Sequence, residues 1–279
     1  MNTTLSSGLT LAAALVCGAA QAGLYSGPTD TTHLIDAAIP SASPLLTEWA
    51  NAIDASRTDF APRGSTVISN TGFNSLGDLD AAQIAAGDPA GFLTVTFPHG
   101  IRNGAGADFA VFENGFALGS PNGLFAELAY VEVSTNGTDF ARFPSISTNA
   151  APVQGAPPFA GYDMGNVYNL AGKHASGFGT PFNLGDLIAG LAVVSGAVDL
   201  DNIQFVKLVD VPGNGAFLDS LGHPILDNWL TVGTGGFDFR LPVGQGIGVI
   251  HAVPEPSTLG LALCALWQLI IPKRKEPLS

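Results

Sequence analysis

The stretch NIQFVKLVDV, residues 202–211, decides the fold class. Ile203, Phe205, Lys207 and Val209 alternate with Gln204, Val206, Leu208 and Asp210, so one face is apolar for most of its length and the other is mixed. A period of two with β-branched residues on both faces is the pattern of a central strand with most of both faces covered. Other short runs of the same kind are FLTVTF (92–97), DFAVFE (108–113), LAYVEVS (128–134) and GIGVIH (246–251), each bounded by Gly, Pro, Asn or Asp. In AYVEVSTNGTDFARFP, Asn136 and Gly137 supply a tight turn and Phe140–Phe143 begins a return strand, which sets a hairpin with a defined register. Many short strands separated by turn chemistry predict an all-β sandwich. One helix is expected before them: in PLLTEWANAIDASR (44–57), Leu45, Leu46, Trp49, Ala52 and Ile53 fall on one face at helical spacing.

Composition narrows the function. Both cysteines, Cys17 and Cys264, lie in apolar end segments, so the body between them has no disulfide, no catalytic thiol and no thiolate metal site. Residues 23–257 carry 22 acidic against 7 basic side chains, a formal charge of −15. That surface repels nucleic acid and anionic lipid. Charged residues are only 12% of the chain and hydrophobic ones 46%, so the chain is not an acidic disordered tail, and its 35 glycines and 19 prolines indicate many turns.

The two ends read as addresses. An apolar run from Leu9 to Ala20, followed by Ala20-Gln21-Ala22, fits a signal peptide over residues 1–22. At the other end, VPEPSTLGLALCALWQLIIPKRKEPLS joins a small Pro-Glu-Pro motif to an apolar run and three basic residues. The uninterrupted part, 258–271, spans about 21 Å as a helix, short of a hydrocarbon core of about 30 Å. A segment of this length is expected to insert transiently rather than anchor the finished chain. Between the ends, the sequence divides into an N-terminal extension with the short helix (23–65) and a β-sandwich domain (66–251), with the terminal signal from 252 onward.

The tail resembles the PEP-CTERM sorting signal of Gram-negative bacteria that export proteins together with exopolysaccharide. The matching residues are Pro254, Glu255 and Pro256, then the apolar run, then Lys273, Arg274 and Lys275. The resemblance implies recognition by exosortase, removal of the tail, and a place on the cell surface or in the extracellular matrix. The body resembles a family of bacterial cell-surface proteins through NSLGD (74–78), NGAGADFAVFENGF (103–116), VEVSTNGTDFARFP (131–144), AGKHASGFGTPFNLGDL (171–187), FVKLVDVPGNGAFLDSLGHPILD (205–227) and GTGGFDF (233–239). The hairpin followed by FVKLVDV is similar to discoidin-like and galactose-binding-like sandwiches, which implies a jelly-roll. Two departures stand out: Asn183 where the family has Asp, and the loop LPVGQG (241–246) before the last strand.

Carboxylates are the candidate chemistry. Asp108 and Glu113, with Asn114, flank one strand; Asp210, Asp219 and Asp227 lie in or beside the loop VDVPGNGAFLDSLGHPILD; Asp238 follows a glycine pair. Ca²⁺ takes six to eight oxygens, and glycine-rich loops turn carbonyls inward to supply some of them. Asp108, Glu113, Asp210, Asp219 and Asp238 are therefore the candidate Ca²⁺ ligands, although no EF-hand spacing is present. The five histidines do not cluster, no HExxH occurs, and Ser220 has no GxSxG setting. For glycoside hydrolysis the candidates are Glu113, Glu127 and Glu132, and for sugar stacking Phe116, Phe125, Tyr162, Phe178 and Trp229.

Three functions stay open: a non-catalytic surface or matrix protein that binds exopolysaccharide through Ca²⁺-stiffened loops, a carbohydrate-active hydrolase, and a structural coat protein without a ligand.

Overall fold

The computed structural model describes residues 23–61, 67–119, 122–231, 235–241 and 243–254. The signal peptide and the sorting residues Glu255, Pro256, Lys273, Arg274 and Lys275 lie outside these; Pro254 is the last described residue.

The strand Ile203–Asp210 is central, as its two covered faces predict: it pairs antiparallel with Phe92–Ile101 on one side and Ala129–Ser134 on the other. Ala141–Arg142 and Ala52–Ile53 complete a five-stranded sheet. The hairpin forms in the register Ala141 opposite Val133, closed where Asn136 accepts from the N–H groups of Thr138 and Asp139. A second five-stranded antiparallel sheet runs in the spatial order Ile39–Pro40, Phe178–Phe182, Phe109–Val111, Ile247–Val249, Glu48–Trp49. The two share one apolar interior. Leu93, Val95, Val131, Val133, Val206 and Leu208 come from the first, and Phe109, Val111, Phe182, Ile247 and Val249 from the second. Phe109 stacks on Phe182 at 5.3 Å, and Phe143 meets Phe182 edge-on. The protein is thus all-β, with curled antiparallel sheets and few helical turns.

The helix expected over 44–57 is not formed. Glu48–Trp49 and Ala52–Ile53 are edge strands in the two different sheets, and Ala55–Arg57 is one 3₁₀ turn capped by Asp54. Helical spacing was met, but each sheet has an edge whose N–H and C=O groups need partners, and this segment supplies them to both. Leu45, the first residue of the presumed apolar face, is 54% exposed. The stretch read as an N-terminal extension therefore contributes strands to both sheets.

A helix forms instead at Ala81–Ala86, with Asp80 accepting from the N–H groups of Ala82 and Gln83 while the Gln83 side chain accepts from the Asp80 N–H. The sequence D-A-A-Q carried that signal. Because no residue of this helix is buried, the cap is a large share of what holds it. Asp80→Ala is expected to lower stability by about 1 kcal/mol, read as an earlier urea midpoint at unchanged m-value.

Candidate functional site: a buried acidic seam

Six carboxylates form a chain in which each repels at least one other: Asp78, Glu113, Glu127, Asp210, Asp227 and Asp238. All are buried or largely so, and Asp210 and Asp227 are at most 1% exposed. Burial raises every one of them: Glu113 to about 8, Glu127 to about 9 and Asp78 to about 6. Asp210 and Asp227 are pushed well above the carboxylate range and Asp238 upward, in each case first by burial. Their mutual repulsion adds to this. Asp238 acts on Glu113; Glu113, Asp238 and Asp78 act on Glu127; Asp210, Asp78 and Glu127 act on Asp227. Among the described residues, no Lys, Arg or His forms an ion pair with any of the six.

The hydrogen bonds follow one rule. In four of the carboxylates a backbone N–H holds one oxygen: Thr231 N–H to Asp78 Oδ2 at 2.9 Å, Gly115 N–H to Glu113 Oε2 at 2.5 Å, Phe237 N–H to Asp210 Oδ1 at 2.8 Å, Leu128 N–H to Asp227 Oδ2 at 2.7 Å. The other oxygen of each, Asp78 Oδ1, Glu113 Oε1, Asp210 Oδ2 and Asp227 Oδ1, is buried without a donor among the described residues. Asp238 differs: Ser75 Oγ donates to Oδ1, and Asn114 Nδ2 donates to Oδ2 at 3.0 Å. The Thr231 hydroxyl sits 3.0 Å from Asp78 Oδ2 and 2.9 Å from Glu127 Oε1. One hydroxyl proton serves only one of them, so the second contact forms only when a carboxyl carries the proton.

Glycine makes this density of carboxylates possible. A Cβ at Gly213 would lie 1.5 Å from Asp227 Oδ1, and one at Gly236, where φ is +75°, would lie 2.6 Å from Asp210 Oδ1. Any side chain there displaces a carboxylate.

A cavity of about 310 Å³ reaches the seam, with Glu113, Asn114, Asp238, Phe112 and Gln245 in its wall. Arg240 lines it too, but its guanidinium stacks on Phe73 and donates to the Thr71 carbonyl. Other sequence candidates lie apart from the seam. Asp108 accepts from Leu184 N–H and meets the His251 ring at 2.7 Å. Asp219 closes its own turn, accepting from the N–H groups of Ser147, Leu221 and His223, which holds its carboxyl below the usual range despite burial. Glu132 is salt-bridged to Arg142 and Lys207. Of the five candidate Ca²⁺ ligands, Glu113 and Asp238 line one cavity, Asp210 joins the seam through its repulsion with Asp78, and Asp108 and Asp219 lie apart; among the described residues no group of three or more His, Cys, Asp or Glu has metal-holding geometry. Asp78 was not singled out as a ligand; its only mark in the sequence is a charge set among Leu76 and Leu79.

The aromatic candidates divide in the same way. Phe116 and Phe125 face each other across paired strands with centroids 4.8 Å apart and rings 7° from parallel, and Phe159 continues the row at 6.1 Å. Phe116 is 55% and Phe159 69% exposed. Tyr162 is core, and Trp229 is partly buried with its indole N–H on the Leu79 carbonyl.

Compared with family models, with curated proteins and with solved structures, the chain matches none. Function has to be argued from the seam and the aromatic row themselves.

Proposed function

We propose that this is an exported, non-catalytic protein of the cell surface or exopolysaccharide matrix, a jelly-roll of galactose-binding-like type. In this reading it holds carbohydrate on an exposed aromatic row, its loops are stiffened by Ca²⁺, and exosortase sorts it through a transiently inserted tail. The observation that carries the reading is the row Phe116, Phe125 and Phe159: three rings standing side by side on a four-stranded sheet, two of them more than half exposed. Exposed aromatic faces offer sugars the apolar stacking surface that their axial C–H groups need, and the acidic body disfavours nucleic acid as the alternative polymer. Immobilised exopolysaccharide is expected to retain the purified protein, and Phe116→Ala with Phe159→Ala to weaken retention about tenfold. Unchanged retention in the double variant removes the row from the account.

A second reading is favoured by one observation, that Glu113 lines an accessible cavity beside Asp238 with its carboxyl raised to about 8. That is the state of a general acid in a carbohydrate-active hydrolase. Turnover of exported polysaccharide that disappears in Glu113→Gln would establish it in place of the first.

A further inference from the structure

A second cavity, of about 660 Å³, is built from the short hairpin that pairs Asn214–Leu218 with Pro224–Leu226 and from the residues that follow the strand Ile146–Ser147. Its size is that of a small-molecule site. None of the six carboxylates of the seam lines it, and none of the three phenylalanines of the aromatic row does. Its wall carries Ala150, Pro224 and Leu226 as apolar surface and Thr148, Asn214 and His223 as polar groups; among the described residues no Lys, Arg, Asp or Glu lines it. The His223 ring is oriented from behind by Asp219, which accepts from the N–H groups of Ser147, Leu221 and His223 at 2.8 to 2.9 Å and whose Oδ2 lies 3.1 Å from His223 Nδ1. A carboxylate fixed by three N–H donors stays ionised and can only accept, so Nδ1 carries the ring proton and Nε2 is left as an acceptor. About half of the His223 side chain is exposed, and Nε2 has no partner among the described residues. Asn214 is oriented as well: its Oδ1 accepts from Ala216 N–H at 3.0 Å, which leaves Nδ2 as a donor with no partner among the described residues.

We propose that this cavity binds one neutral sugar unit, with His223 Nε2 accepting from a ring hydroxyl and Asn214 Nδ2 donating to another. The proposal rests on the carbohydrate-binding part of the proposed function and adds a site apart from the aromatic row. Charge narrows the ligand first: with neither a cation nor a carboxylate in the wall, an ionic group would give up hydration and find no counter-charge. The polar groups narrow it further, because one fixed acceptor and one fixed donor are both answered by hydroxyls, which serve in either role. The apolar surface completes the match. A sugar ring carries hydroxyls on its edge and C–H groups on its face, and Ala150, Pro224 and Leu226 offer that face a dry wall. The pair Asp219 and His223 binds here rather than cleaves: among the described residues no Ser or Thr hydroxyl hydrogen-bonds to Nε2, so the nucleophile of a triad is missing.

The test titrates the purified, ¹⁵N-labelled protein with the methyl glycosides of glucose, galactose and mannose. At least one of them is expected to shift the Thr148 and Gly215 backbone amides and the Asn214 side-chain amide saturably, with a Kd on the order of 1 mM. Asn214→Asp removes the donor but keeps the oxygen that holds Ala216, and His223→Phe keeps the ring but removes both nitrogens; each is expected to weaken the Kd about fivefold. Asp219 keeps its three N–H donors in both variants, so the amide spectrum away from the cavity stays that of the parent. Phe116→Ala with Phe159→Ala leaves the Kd unchanged. Three results overturn the site: no saturable shift at these amides with any of the three glycosides up to about 50 mM, an unchanged Kd in both cavity variants, or an equal response to cyclohexanol, which has the apolar ring but a single hydroxyl. Polysaccharide retention is scored separately. If the glycosides leave the cavity silent while retention falls with the phenylalanine row, the cavity alone has failed; if they bind in the cavity while retention ignores the row, the row alone has failed.

Discussion

In the presence of a chelator, the protein is expected to lose stability steadily as pH rises from 6.5 to 9. Glu113 and Glu127 hold their protons to about 8 and about 9 in the folded chain, whereas unfolded carboxyls release theirs near 4. Between those limits the native state binds more protons than the unfolded one. Stability conferred by these groups is then fully present below the unfolded value and is lost as pH climbs through the folded one. Asp210 and Asp227, raised by burial and by the neighbouring carboxylates, act in the same direction. Two groups on other elements oppose them. Burial drives His174 well below its usual value, which adds stability only as pH rises toward about 6.5, below the chosen window. Lys173, lowered to about 8, adds a little above that pH. The carboxylates win by number. At about 1.36 kcal/mol per unit, the loss across the window is on the order of 4 kcal/mol, or a fall in Tm of roughly 10 °C. Glu127→Gln, which deletes one ionisation, is expected to flatten the curve and to be the more stable protein at pH 8.5. A thermal-melt series in EDTA that stays level or climbs between pH 6.5 and 9 would show that the seam carries no unmatched charge.

Why the seam was only half visible in the sequence follows from how it is built. The strand 203–210 and the hairpin at 136–137 are local patterns: alternation and turn chemistry are written in consecutive residues, and the structure places both as read. The seam gathers residues from 78 to 238, none of them within a recognisable spacing, and what unites them is burial against one another. Glu113, Asp210 and Asp238 were found because they flank strands or glycine pairs. Asp78 was not, since a lone Asp after Leu-Gly reads as a turn. The misassigned helix at 44–57 has a related cause. Periodicity records which side of a segment is apolar, while the choice between helix and edge strand was made by two sheets whose other strands come from residues 92–101 and 247–249.

The same limit hides the second buried charge. Lys173 stands in the glycine-containing run NLAGKHASG, yet its side chain is fully buried against Asp36, which is 137 residues away in sequence and itself 4% exposed. Asp36 is held from several directions at once: Ser26 N–H donates to Oδ1 at 2.8 Å, the Ser26 hydroxyl donates to its carbonyl, and the His33 ring lies 3.1 Å from Oδ1. Tyr25 sits over the ammonium at 5.7 Å. The pair therefore ties the first residues of the described chain to the core. Asp36→Ala is expected to lower unfolding free energy by about 3–5 kcal/mol, because it strands an ammonium with no counter-charge and frees Ser26 as well. The double substitution Asp36→Leu with Lys173→Met is expected to recover most of that loss, since a buried pair replaced by apolar groups of similar volume gives up its attraction and its desolvation penalty together. Guanidinium denaturation of the three variants at pH 7 separates the outcomes. A single Asp36→Ala change worth less than about 1 kcal/mol would mean that Lys173 finds water, and that this corner of the fold is open rather than sealed.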